Sequence, residues 1–212
     1  MTRLSPTAFE PRKTPQQARS SATVEAIHTA TIQVLLAEGV ARLTTTRVAA
    51  RAGVSVGTMY QYFPNKEALL LALVKDRLAT VATAMEDVAA RLAESRLSEI
   101  ADGLVQAWLD AKTADIVGSR AIYGIAAEFD IVEMTRKEAI RLEQAIAGLL
   151  STARDAQVDQ PDAVAFTLLA VMGGAVRTVL ERGATDAELA MLRSELPRVC
   201  RAYLASCAQS LD

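Results

Sequence analysis

The chain reads as an all-α protein. Apolar residues recur every three to four positions over most of its length, no strand alternation interrupts them, and glycine, proline and capping residues fall at the seams. Composition agrees: among 212 residues only 4% are aromatic, with 10 Gly and 6 Pro. Alanine, leucine, valine, glutamate and arginine abound, a mixture that favours helices over strands.

Each element has its own signal. Residues 1–20 carry Pro6, Pro11 and Pro15 among polar and basic residues without a period, and are expected to form a flexible arm. From Ser21, the residues Val24, Ile27, Thr31, Val34 and Leu35 mark a first helix, which Gly39 should stop as a left-handed cap. Hydroxyls in Leu43-Thr44-Thr45-Thr46 can cap a second helix ending at Gly53. Ser55 caps a third, which Pro64 ends, and Asn65 caps a fourth from Lys66 to about Ala93. Further helices are predicted over Leu97 to about Lys112, Arg120 to about Phe129 and Ile131 to about Ala153. In the last of these, Leu142, Ile146, Leu149 and Ala153 form one stripe. Pro161 suits a helix first turn, and that helix should run to Arg182, before Gly183. Thr185-Asp186-Ala187-Glu188 is a capping box opening a last helix. There Leu189, Leu192, Leu196, Val199, Tyr203 and Cys207 align, and Pro197 should introduce a kink.

Composition excludes several classes. Two cysteines are too few for a disulfide scaffold. The longest uncharged apolar run, Ala163 to Val176, is 14 residues against the ~20 of a membrane span, so a buried helix is expected. The N-terminus lacks the apolar core of a signal peptide, and the cytoplasm is the expected compartment. The net charge of −2 conceals an asymmetry. Residues 1–66 hold eight basic and three acidic residues, a net +5, while the remainder holds fifteen basic and twenty-two acidic, a net −7. The asymmetry suggests a polyanion met at one end only, beside the plainer reading of a merely solvated charged face.

The stretch that carries function runs from Thr45 to Phe63. Two short helices joined at Gly53-Val54-Ser55 make a helix-turn-helix. Ala49 and Gly53 are small enough for close crossing, and Gly53 tolerates the positive φ of the turn. Val48, Ala52, Val54, Met59 and Phe63 supply an apolar underside. Val56, Gly57, Thr58, Tyr60, Gln61 and Tyr62 are then largely outward, and small, hydroxyl and amide groups beside basic residues suit a DNA major groove.

With Ile27, Gly39, Thr45, Val48-Ala49, Ala52-Gly53-Val54-Ser55, Gly57-Thr58-Met59-Tyr60, Tyr62-Phe63 and Asn65-Lys66-Glu67-Ala68-Leu69-Leu70, residues 20–75 resemble the DNA-binding domain of TetR (tetracycline repressor) family regulators. Val48 stands for the usual isoleucine and Met59 for the usual leucine. The resemblance implies a DNA-binding domain over 21–65 and a ligand-binding and dimerisation domain over 66–212. Thr45 and Ser55 then lie at helix N-termini that favour a phosphate, and Tyr60, Tyr62 and Lys66 match phosphate-contacting positions. Arg47, Val56, Gly57, Thr58 and Gln61 match positions that reach base edges, with Arg47 the candidate for bidentate guanine contact. Arg3, Arg12, Lys13 and Arg19 could let the arm follow a minor groove. Plainer readings stand beside these: helix caps for Thr45 and Ser55, a solvated Arg47, a packing Tyr60, an ordinary tail.

The last two helices carry the expected homodimer interface, at Leu168, Val171, Met172, Ala175, Leu196, Val199 and Tyr203. The penultimate helix is apolar on more than one side, so it must bury against its own core and a partner. The resemblance implies an effector-released repressor on a palindromic operator. Trp108, Tyr123, Phe129, Met134 and Phe166 are the candidate pocket, whose walls would favour an apolar or aromatic effector; the same residues could be plain core. The rival class is a helical-bundle carrier or enzyme with a structural helix-turn-helix. Against the enzyme, His28 is the sole histidine, the spacing of Cys200 and Cys207 reads as core, and no phosphate, dinucleotide or nucleophile motif occurs. No cofactor or metal is expected.

Overall fold

The computed structural model describes residues 18–128 and 132–211. Among these are nine helices: α1 Ala18–Glu38, α2 Thr45–Ala52, α3 Val56–Tyr62, α4 Lys66–Leu92, α5 Leu97–Thr113, α6 Ile116–Glu128, α7 Val132–Leu150, α8 Pro161–Arg182 and α9 Asp186–Ser206. The architecture is all-α, as the sequence predicts. The expected arm, with Arg3, Arg12 and Lys13, lies outside the described residues up to Pro15-Gln16-Gln17, as does the side chain of Arg19.

Four boundaries differ from expectation. α1 begins at Ala18, inside the expected arm and three residues before Ser21. α6 begins at Ile116, not Arg120, because the Asp115 carboxylate accepts a hydrogen bond from the Gly118 N–H at 2.8 Å and caps the helix four residues early. α7 ends at Leu150, since Thr152 N–H and Ala153 N–H fold back onto the Leu149 and Leu150 carbonyls. Gly39 does stop α1, but at φ 77° and ψ 168°, an extended positive-φ state rather than a left-handed cap. A 3-10 turn, Val40–Arg42, follows it.

One feature escapes the sequence reading altogether. β1 (Ala156–Val158) pairs antiparallel with β2 (Ala208–Ser210), Gln157 opposite Gln209. Three residues are too few to show alternation, and only Val158 is buried. The Asp155 carboxylate, beside this ribbon, accepts the Leu97 N–H at 2.8 Å and so caps α5, where Arg96 has no acceptor side chain to do so.

The chain forms two compact units. The first takes the chain up to Arg77 together with Arg120–Glu133, and the second takes Leu78–Ser119 with Met134–Asp212. The division therefore falls within α4, past the residue-65 boundary expected from the sequence, and again within α6 and α7. In the first unit Ile27, Leu43, Val48, Met59, Phe63, Leu69, Leu70 and Leu73 are buried. Each such side chain contributes roughly 1.5–3 kcal/mol of burial free energy. In the second, α5 packs on α8 and α9 around Ile100, Leu104, Leu109, Leu168, Met172, Leu196 and Cys200. Burial pushes the Cys200 thiol up to about 11, so it behaves as a small core residue. Gly103 permits a close approach in this unit: a Cβ there would fall 2.2 Å from Leu92 Cδ1.

The stripe expected at the dimer interface divides in two. Leu168, Met172 and Leu196 are buried in the core of the second unit and cannot face a partner. Val171 and Val199 are exposed, Ala175 and Tyr203 partly so, and with them Phe166 and Met191. α8 is long and apolar enough in composition to cross a membrane, yet only 39% of its apolar window is buried. Its apolar surface thus serves two sides, and the sequence could not say which residue belongs to which.

Candidate nucleic-acid interface

The helix-turn-helix is built from caps inward. Thr44, in extended conformation, accepts the Arg47 N–H on its hydroxyl and is the N-cap of α2. Gly53 closes that helix in the left-handed region at φ 69°, with its N–H on the Ala49 and Ala50 carbonyls. Ser55 opens α3 by accepting the Thr58 N–H at 2.9 Å, and Asn65 opens α4 by accepting the Ala68 N–H at 2.7 Å. Three side-chain caps, each three residues from its N–H partner, therefore open three helices. Met59 and Phe63 turn fully inward with Val48 and Ala49.

That inward set leaves the expected face outside. Val56, Gly57, Tyr60 and Gln61 are exposed, while Thr58, Tyr62 and Lys66 are partly so. A Cβ built on Gly57 would meet only Ser55 Oγ, at 3.7 Å, so no packing within the unit demands glycine there. Thr45 is different from its expected place. It is the first residue inside α2 rather than the cap, it is buried, and its hydroxyl donates to Tyr60 Oη at 3.3 Å. Tyr60 thus spends a lone pair on α2 and keeps its own hydrogen for an outside acceptor. Tyr62 Oη lies 3.0 Å from Ser20 Oγ, which ties the end of α3 to the start of α1.

The basic residues are held rather than loose. Arg47 pairs through Nη1 with the carboxylate of Glu38, at the end of α1, and donates from the same nitrogen to the Arg42 carbonyl at 3.1 Å. Its side chain remains half exposed. Arg51 Nε donates to Gln33 Oε1 at 2.6 Å. Sequence reasoning missed Glu38, Arg42 and Gln33 as supports, because each sits on α1 or its exit and meets α2 only once the two helices cross. The only hint was an acidic residue at a helix C-terminus, where it is unfavourable alone.

His28 lies partly buried against the end of α3. Its ring lies 5.9 Å from that of Phe63, and its Nδ1 lies 3.9 Å from the Asp76 carboxylate. Nε2 is buried without a hydrogen-bond partner among the described residues. Desolvation lowers the imidazole pKa, Asp76 opposes this, and Arg77 adds to it.

The candidate pocket residues are not gathered into one cluster within either unit. Trp108 is buried in the second unit, its Nε1 lacks a partner among the described residues, and the Lys112 ammonium lies 4.9 Å from its ring centroid. Burial pushes Lys112 down to about 8. Tyr123 belongs to the first unit and is half-buried. Phe166 points outward, 62% exposed, so it lines no interior of its own unit. Phe129 and the side chain of Met134 lie outside the described residues. Among the described residues no three or more His, Cys, Asp or Glu side chains cluster as a metal site would require.

Comparisons extend this picture to known proteins. The family model of bacterial regulatory proteins, tetR family, matches residues 27–73, and the tetracyclin repressor-like C-terminal domain model matches residues 97–204. No curated protein matches the chain in sequence. Among solved structures, a SmeT–triclosan complex shares 21% identity at TM-score 0.69, covering 87% of this chain and 91% of its own. The fatty acid degradation regulator FadR from Bacillus halodurans shares 18% identity at TM-score 0.67, covering 89% and 95%. A TetR transcription regulator from Haloarcula marismortui shares 21% at TM-score 0.66, covering 89% and 100%. Identities this low speak to fold alone. The C-terminal model by itself spans half of the chain, and the N-terminal one lies over the helix-turn-helix described above. The chain belongs to the tetR family of bacterial regulatory proteins, and is a DNA-binding transcriptional regulator rather than an enzyme.

Proposed function

We propose that the protein is a repressor that grips a palindromic operator as a homodimer in the cytoplasm and is released by a small apolar or aromatic effector. The observation that carries the DNA reading is the outer face of α3. Val56, Gly57 and Gln61 are exposed without any packing duty, beside a Tyr60 whose oxygen is already held by Thr45. Gly57 lets backbone approach a groove floor, Val56 suits a thymine methyl, and Gln61 and Thr58 offer polar groups to base edges. Ser55, Tyr60, Tyr62 and Lys66 serve the phosphates, with Thr45 acting through Tyr60. Arg47 reads guanine. The effector reading is supported by Trp108, whose buried indole N–H lacks an acceptor among the described residues; such a donor suits an apolar ligand bearing one acceptor. The dimer reading is supported by the outward apolar residues of α8 and α9. SmeT, which the chain is similar to in fold, is the repressor of a multidrug efflux pump of Stenotrophomonas maltophilia, and one SmeT structure is a triclosan complex.

Arg47 and Lys66 separate sequence readout from phosphate binding. Arg47→Ala should cost about 1–3 kcal/mol on the selected duplex and relax preference at one base position per half-site. Lys66→Ala should weaken selected and random duplex alike and lower the slope of log K against log salt by roughly 1 per contact. Titrations at several salt concentrations decide. If Arg47→Ala spares base preference and lowers the salt slope, Arg47 is a phosphate contact.

A further inference from the structure

The pairing of Arg47 determines which of its N–H groups remain for DNA. Glu38 ends α1, where helix carbonyls already concentrate negative charge, so a carboxylate there needs a cation close by. Arg47 supplies it from α2. Its Nη1 has two N–H groups, and both are engaged, one by the Glu38 carboxylate and one by the Arg42 carbonyl at 3.1 Å. Arg42 Nε in turn donates to the Glu38 carbonyl at 3.2 Å, which closes the turn around the pair. Among the described residues no group takes the Nε or Nη2 hydrogens of Arg47, and the side chain is half exposed. Nε–H and the adjoining Nη2–H form the side edge of the guanidinium, one of the two edges able to bond O6 and N7 of guanine together.

We propose that Glu38 is a specificity-determining positioning residue, whose carboxylate clamps one nitrogen of Arg47 so that the opposite edge of the guanidinium meets guanine already oriented. The proposal rests on the reading of Arg47 as a base contact. An unclamped arginine is a long flexible cation that takes phosphates and bases alike, whereas a clamped one has a single geometry to offer. Glu38 also brings a negative charge close to DNA. Its removal should therefore raise affinity for every duplex while lowering discrimination among them, a pairing of effects that loss of a merely structural contact would not produce.

The test selects bound duplexes from a randomised library with the full-length protein. It then measures the selected duplex and its single-base variants by competition at one salt concentration. The wild type should favour one guanine per half-site by roughly 5- to 150-fold, and Arg47→Ala should abolish that preference alone. Glu38→Ala should reduce the same preference by about threefold or more, as coupling between contacting residues allows, and should tighten binding to random duplex. In Glu38→Ala/Arg47→Ala the guanine preference should equal that of Arg47→Ala alone. If Arg47→Ala loses the guanine and Glu38→Ala keeps it at wild-type strength, the clamp is overturned and the base contact stands. If Arg47→Ala keeps every preference, the base contact itself fails, and the clamp with it. Uniform flattening of all positions by Glu38→Ala also overturns the clamp.

Discussion

At the scale of single residues, burial without a partner is the recurring theme. His28 packs against Phe63 with one ring nitrogen lacking a partner among the described residues, and the desolvation of its ring outweighs the pull of Asp76. Its pKa in the folded chain therefore lies below the ordinary histidine value of about 6.5. The unfolded chain binds the proton more readily, so stability is complete above that value and falls as pH drops through it. Urea titrations of wild type and His28→Gln from about pH 7.5 to about pH 5.5 should show a declining wild-type midpoint and a flatter variant. Parallel profiles would mean that other groups set the acid sensitivity. The histidine was visible in the sequence; its burial was not, since α1 is weakly amphipathic and the covering ring comes from the end of α3.

At the scale of elements, the caps explain why these helices begin where they do. Thr185 accepts the Glu188 N–H, and the Glu188 carboxylate returns to the Thr185 N–H at 3.2 Å, a reciprocal closure that starts α9. The Thr185 hydroxyl, which donates to the same carboxylate at 2.9 Å, then the Thr185 N–H and Arg182, hold the Glu188 carboxyl below its usual pKa. Thr185→Ala should destabilise the protein by about 0.5–2 kcal/mol in chemical denaturation, and Thr185→Asp should recover most of it. An unchanged midpoint would mean that α9 is held by packing on α5 alone. That capping box was legible because both partners lie within four residues of each other. Asp115 was equally local and went unread, although α6 opens with the apolar pair Ile116-Val117. The Asp155 cap of α5 was out of reach, for its donor is 58 positions away.

At the scale of the whole molecule, the two sides of α8 and α9 should respond differently to charge. Leu168 faces the core of its own unit, while Val199 is 51% exposed. Leu168→Arg buries an unpaired charge and should unfold the chain, at several kcal/mol. Val199→Glu should leave the unfolding of the single chain nearly unchanged and convert a dimer into a monomer. Light scattering at micromolar concentration with circular dichroism of both variants separates the outcomes. A dimer that survives Val199→Glu would place the interface on another face.

The sequence by itself determined the helical class, the order of the helices, the helix-turn-helix with its inward Met59 and Phe63, and the basic charge of the N-terminal end. All of these follow from periodicity, caps and charge, which act between residues a few positions apart. Tertiary structure alone decided the rest. It turned Thr45 inward onto Tyr60, set Glu38 against Arg47, divided the apolar surface of α8 between core and solvent, and paired two three-residue strands from distant parts of the chain. The physical reason is the same in each case. A side chain's partner on another helix depends on where the two helices cross, and crossing is set by the summed packing of many residues rather than by any local pattern.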